Sequence, residues 1–215
     1  MKEKQKFTKP LKIAIAVVVL SFIVAGVLYP IMPDTMATHW DSQGNVNGEM
    51  SKFWGLFLMP IISLALILLF IFLPKIDPYK ENYKLFSKYY NGFILVLTLY
   101  LFYIYILTLL INQGINFNLI QAMSPAFAVL FYYLGILLEN AKRNWFVGIR
   151  TPWTLSSEKV WTKTHNVGGK LFKVSAIISF FGVFLPQYAI WFIILPLMLS
   201  AIFVFLYSYF LFKKK

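Results

Sequence analysis

Between residues 144 and 165 an otherwise apolar chain becomes polar and aromatic: Asn144, Gly148, Arg150, Thr151, Pro152, Trp153, Thr154, Trp161 and His165 fall close together. Arg150 brings a planar guanidinium that can hold a carboxylate or phosphate through two parallel hydrogen bonds. The run Gly-Ile-Arg-Thr-Pro-Trp-Thr sets that donor beside two hydroxyls, a permissive glycine and a rigid proline, more than a membrane anchor requires. Indole rings also favour the membrane interface without any ligand, and Arg150 could then serve a lipid phosphate or a helix C-terminus. Chemistry alone leaves recognition and anchoring both open.

A second group, Pro33, His39, Trp40, Asp41 and Gly44, lies in the segment 32–52. Its turn formers Asp41, Gly44, Asn45, Asn47 and Gly48 are compatible with a compact hairpin-like cap over a helix bundle. Asp34, Asp41 and Glu49 against the single Lys52 make it acidic, which favours a cationic ligand. An ordinary solvated connection explains the same residues equally well. His39 with Asp34 and Asp41 falls short of a recognisable metal spacing, so neither metal nor cofactor is expected.

The elements that must position both groups are membrane spans. With 60% hydrophobic and 13% charged residues, the chain carries apolar runs long enough to cross a hydrocarbon layer of about 30 Å. Hydropathy predicts an all-α, polytopic membrane helical bundle forming a single integral membrane domain over 1–215. Its six transmembrane helices fall at 13–31, 53–73, 91–111, 119–138, 172–186 and 188–212. Lys2, Lys4, Lys6, Lys9 and Lys12 precede the first, which reads as an uncleaved helix. Residues 174–212 carry no charge, and as one helix would reach about 60 Å, so the run folds back at Pro186–Gln187. Residues 156–170 have the spacing of a short amphipathic helix at headgroup level, with Val160, Trp161 and Thr164 on one face.

Six spans put both termini on one side, together with 19 of the 20 Lys and Arg residues; only Lys52 lies opposite. The positive-inside rule therefore predicts cytoplasmic termini and a cytoplasmic 144–165 segment, with 32–52 as a small extracytoplasmic cap. The net charge of +12 belongs to span flanks, so direct nucleic-acid binding is not expected. The absence of cysteine excludes disulfides and thiol chemistry.

No ionisable residue falls at the middle of a predicted span, which disfavours ion-coupled transport. The two histidines, His39 and His165, are predicted on opposite membrane faces, and no nucleophile-and-base set accompanies either, so no catalytic residue is assigned. Ser63, Thr98, Tyr100, Tyr103, Gln121 and Ser124 read as interhelical hydrogen-bonding groups. Pro60, Pro125 and Pro196 each free a carbonyl that a neighbour must satisfy.

The series Asn144-Trp-Phe-Val-Gly-Ile-Arg-Thr-Pro-Trp-Thr-Leu, Val160-Trp161, Thr164-His165 and Gly168-Gly169-Lys170-Leu171 resembles the SdpI immunity-protein family. Pro33, Thr38-His39-Trp40, Gly44 and Asn47-Gly48 resemble the domain of unknown function that precedes this motif in six-span members. On that resemblance, 13–73 form the first two spans with the outer loop, and 119–212 an SdpI-like region containing the 144–171 motif. Asn166 stands where the family commonly has a basic residue. The resemblance implies protection of a producing cell against a secreted, membrane-active killing-factor peptide, met at the toxin-facing outer residues. In some members it also implies a signal receptor that holds a DNA-binding autorepressor at the cytoplasmic side. Membrane lipids are the remaining expected partner, and a small non-ion-coupled transporter or flippase of lipids or peptides is the alternative reading.

Overall fold

The computed structural model describes residues 8–214; Lys2, Lys4, Lys6 and Lys215, counted above toward orientation, lie outside the described residues. Helix α1 (Lys9–Leu28) leads into a hairpin of strands β1 (Thr35–Trp40) and β2 (Val46–Ser51). Then come α2 (Lys52–Ile76), α3 (Lys80–Asn112), α4 (Leu119–Asn140), the short α5 (Pro152–Ser156), α6 (Glu158–Phe180), two 3-10 turns (Phe181–Val183 and Pro186–Tyr188) and α7 (Ala189–Lys213). Five of these helices, α1, α2, α3, α4 and α7, are long and apolar enough to cross a membrane. Their exposed Val, Leu, Ile and Phe side chains match a lipid solvent.

Helices α1, α2 and α3 pack together, as do α4, α6 and α7, and α3 packs against α4 to join the two groups. Leu11, Ala14, Val18, Ile67, Tyr83, Phe86 and Tyr90 form one core, which Leu137, Ala141 and Trp161 enter from the second group.

Helix α6 corrects the sequence reading. The expected headgroup-level helix at 156–170 and the separate span at 172–186 are replaced by one continuous helix over Glu158–Phe180. It runs antiparallel to α4: Lys173 Nζ pairs with Glu139 at 2.6 Å near one end, and Gln121 donates to the Val183 carbonyl at 2.7 Å near the other. A Cβ at Gly135 would meet the Gly169 carbonyl, and one at Gly169 would meet the Gly135 carbonyl and Glu139. These glycines let the two backbones touch, so the polar half of α6 finds its partner in the bundle rather than in the headgroups. Val160 and Trp161 are accordingly 1% exposed and Thr164 0% exposed.

Two prolines inside helices have hydroxyl donors on the carbonyls they free, as a hydrocarbon solvent demands. Pro196 removes the N–H that would reach Phe192, and Ser179 Oγ donates to the Phe192 carbonyl at 3.2 Å. Pro74 does the same to Phe70, whose carbonyl accepts from Tyr90 Oη at 2.7 Å. Near Pro125, Tyr103 Oη donates to the Ala122 carbonyl at 3.0 Å.

Candidate functional site

Asn144 organises the polar loop that leaves α4. It is 0% exposed; its Oδ1 accepts the backbone N–H groups of Phe146 (3.0 Å) and Val147 (2.6 Å), and its Nδ2 donates to the carbonyls of Lys142 (2.8 Å) and Val147 (2.9 Å). Both amide donors and the acceptor are thus engaged, and the loop closes on one side chain. Tyr83 Oη stands 3.2 Å from Asn144 Oδ1 and 3.2 Å from the carboxylate of Asp77.

Asp77, at the end of α2 and 2% exposed, accepts the N–H of Tyr79 (2.7 Å) and that of Trp145 (2.9 Å). Asn82 adds a bond to the Arg143 carbonyl at 2.7 Å. Asp77, Asn82 and Tyr83 therefore tie the α2–α3 connection to the start of the motif, and sequence reasoning assigned none of them. The available signal was Asp77 itself, an acid directly before Pro78 in a connection otherwise rich in lysine.

At the other end of the motif, His165 Nε2 accepts the N–H of Ile149 at 3.0 Å, while Nδ1 lies 2.9 Å from the Trp161 carbonyl. That carbonyl can only accept, so the proton resides on Nδ1. The imidazole stacks on the Trp161 ring (3.9 Å between centroids, 18°), and Trp161 Nε1 donates to the Ala141 carbonyl at 2.8 Å. Burial pushes the His165 pKa down to about 4, which keeps the ring neutral and Nε2 an acceptor. Gly148 makes the approach possible: its φ is +119°, and a Cβ there would collide with His165 Nε2.

The central residues divide between fold and surface. Thr151 caps α5 in a reciprocal box with Thr154, with N–H to Oγ1 distances of 2.9 and 3.2 Å, and Pro152 occupies the first helical turn. Thr151 Oγ1 lies 3.1 Å from Ser208 Oγ on α7, and Thr154 Oγ1 donates to the Ile149 carbonyl at 2.7 Å. Trp153 packs edge-on against Phe205 and Tyr209 of α7. Trp153 and Trp161 thus pack on α7 and on His165 respectively, not on Arg150. Arg150 is exposed, and its Nη1 donates to the Trp145 carbonyl at 2.8 Å, beside a Trp145 ring that is 50% exposed.

The second group, Pro33 to Gly44, is held by the hairpin. Asp41 Oδ1 accepts the N–H groups of Gln43 and Asn45, both at 2.9 Å, and Gly44 takes φ +89° to close the turn. The hydrogen bonds from Asn45 in particular hold the Asp41 carboxyl below its usual range. His39 Nδ1 meets Asn47 Oδ1, and Asp34 pairs with Lys52 at 2.9 Å, so His39, Asp34 and Asp41 each face a different partner. Pro33 is exposed at the entry to β1. Asn112 clamps β1 through Ala37, accepting its N–H at 2.8 Å and donating to its carbonyl at 3.0 Å; Asn118 donates to the Gln43 carbonyl at 2.8 Å. Trp40, Trp54, Met59 and Met123 line a cleft of about 270 Å³ beneath the hairpin.

The 144–165 arrangement has the chemistry of a latch: a satisfied buried amide, one buried carboxyl group and a neutral histidine, with Arg150 and Trp145 presented to the surface. Residues 140–208 match the SdpI/YfhL protein family, and residues 16–64 match a domain of unknown function, DUF1648. Immunity protein SdpI of Bacillus subtilis (strain 168) is 29% identical over 203 residues, covering 94% of this chain and 95% of that protein. No solved structure matches the chain. The chain is a multi-pass membrane protein in which the 144–165 segment lies within the stretch that matches the SdpI/YfhL protein family and the hairpin within the stretch that matches DUF1648.

Proposed function

We propose that this protein is an immunity protein, protecting the cell that carries it from a secreted, membrane-active peptide. Similarity to an immunity protein through 94% of the chain is the observation that carries this reading. In this reading α6 supplies a sixth crossing, supported by its antiparallel course along α4 from Glu139 to Gln121. Charge asymmetry then sets both termini and the 144–165 motif in the cytoplasm and the hairpin outside. The hairpin, with His39, Trp40 and the cleft beneath it, meets the peptide. The inner motif fixes the relation between the two helix groups, and its exposed Arg150 and Trp145 form the surface on which a DNA-binding autorepressor would dock where a circuit includes one.

The test is survival of a peptide-sensitive strain expressing the protein. Wild type protects. Arg150→Lys and Trp153→Ala, at equal membrane abundance, should lose protection or signalling, because a lysine cannot reproduce the planar two-bond geometry. Full protection and signalling by both variants removes the motif from the function. Toxin-independent flux of lipid or peptide in vesicles would replace immunity with transport.

A further inference from the structure

At the end of the bundle that holds the inner motif, a cleft of about 240 Å³ opens between α1, α2 and α3. Its lining is mixed. Leu11, Phe70, Ile71 and Ile94 line an apolar part, and Thr8, Lys84, Ser87 and Asn91 a polar part. Pro74 of α2 lines it, and α3 leaves helical geometry at Phe86 (φ −125°, ψ 18°) between the lining residues Tyr83 and Tyr90.

Two of its polar side chains, Thr8 and Asn91, are not engaged among the described residues, whereas Ser87 Oγ donates to the Lys84 carbonyl at 3.2 Å. The Thr8 side chain makes no capping bond to α1 although it occupies the N-cap position, and no side chain or backbone group among the described residues engages the Asn91 amide. Tyr90 Oη, by contrast, is held by the Phe70 carbonyl. Lys84 lines the cleft and pairs with Glu81 at 2.5 Å, and the buried Asp77 meets the hydroxyl of the lining residue Tyr83; in sequence, Lys12, Lys75 and Lys88 follow the lining residues Leu11, Pro74 and Ser87.

We propose that this cleft is a binding site for an anionic phospholipid. The phosphate lies among Lys84, Ser87, Asn91 and Thr8, and the upper part of one acyl chain lies against Leu11, Phe70 and Ile94. A cleft lined both by apolar side chains and by hydroxyl, amide and lysine groups matches that amphiphile, whereas a free anion would leave the apolar lining without a partner. Tyr83 links the site to the motif. Its ring forms one wall of the cleft while its hydroxyl meets Asp77 and Asn144, so a bound lipid buttresses the inner latch. This inference goes beyond the immunity reading and stands whatever peptide the protein meets.

The test is native mass spectrometry of the full-length protein in mild detergent, titrated with dioleoyl phosphatidylglycerol or dioleoyl phosphatidylcholine, with inorganic phosphate as competitor. Wild type should prefer the anionic lipid. Lys84→Glu, an exposed change that spares the core, should weaken phosphatidylglycerol by about fivefold or more, the factor given by ~1 kcal/mol per surface lysine. Ser87→Trp, which fills the cleft, should abolish the preference, while Lys163→Glu on α6 should leave it intact. Equal binding of the two lipids, or an unchanged preference in both cleft variants, overturns the site. Displacement by millimolar inorganic phosphate overturns the lipid reading in favour of a free-anion site.

Discussion

The carboxylate of Asp77, at the end of α2, accepts the backbone N–H of Trp145 at 2.9 Å across 68 residues of sequence. This bond fastens the first three helices to the loop that opens the inner motif, and Tyr83 doubles it by standing between Asp77 and Asn144. A buried carboxylate persists only where donors surround it, and Tyr79, Tyr83 and Trp145 supply them.

Asp77→Asn should therefore loosen the join between the two helix groups. The amide loses the charge and turns one donor toward existing donors, a loss of about 1.5–3 kcal/mol for hydrogen bonds to a charged group. Thermal unfolding in mild detergent should show a lower Tm, with protection reduced at equal abundance. A Tm equal to wild type would mean that Asp77 does not bear on the join.

Gly148→Ala should damage the motif without touching its chemistry. At φ +119° an alanine is strained, and its Cβ would displace the His165 ring that accepts the Ile149 N–H. A cost of about 1–3 kcal/mol follows from the backbone alone. Retention of wild-type Tm and protection would show that the loop relaxes freely.

His165 predicts an acid-labile fold. Its folded pKa, near 4, lies below the unfolded value near 6.5, so between these limits the unfolded chain binds a proton that the folded chain refuses. Stability should be full above pH 6.5 and fall as the pH drops toward 4, by up to about 3 kcal/mol at 1.36 kcal/mol per pH unit. His165→Gln keeps an acceptor for Ile149 and lacks the titration; its Tm should depend less on pH across this window. Equal pH dependence in the two proteins would exclude His165 as the source.

Sidedness can be read by labelling, because the chain has no native cysteine. Ser157 is 4% exposed and accepts the Val160 N–H as the cap of α6, so a cysteine there would disturb the fold. Ser42 and Ser156 are exposed. Ser42→Cys should react with a membrane-impermeant maleimide in intact cells, and Ser156→Cys only after permeabilisation. Labelling of both in intact cells would contradict a six-crossing arrangement.

Much of the local structure was legible in the sequence because its causes are local. Hydropathy located the five helices long and apolar enough to cross a membrane, Pro186–Gln187 marked the turn before α7, and Pro196 announced a carbonyl in need of a donor, since lipid supplies none. The separation of α6 into two helices failed because a polar half-helix was assigned to the headgroups, the nearest polar phase in a one-dimensional reading. Contact between Gly135 and Gly169 places that half against α4 instead. The same holds for Trp161, which looked like an interfacial anchor and is buried against His165 and Ala141.

By itself, then, the sequence determined that this chain crosses the membrane repeatedly and where its polar residues concentrate, because hydrophobicity and turn propensity act within a few residues. Tertiary structure alone decided that Asp77, Tyr83 and Asn144 form one buried network and that Gly148 yields its space to His165. Such pairings depend on which surfaces meet when helices pack, and the satisfaction of buried groups such as Asp77 and Asn144 is a property of the assembled bundle, not of any segment.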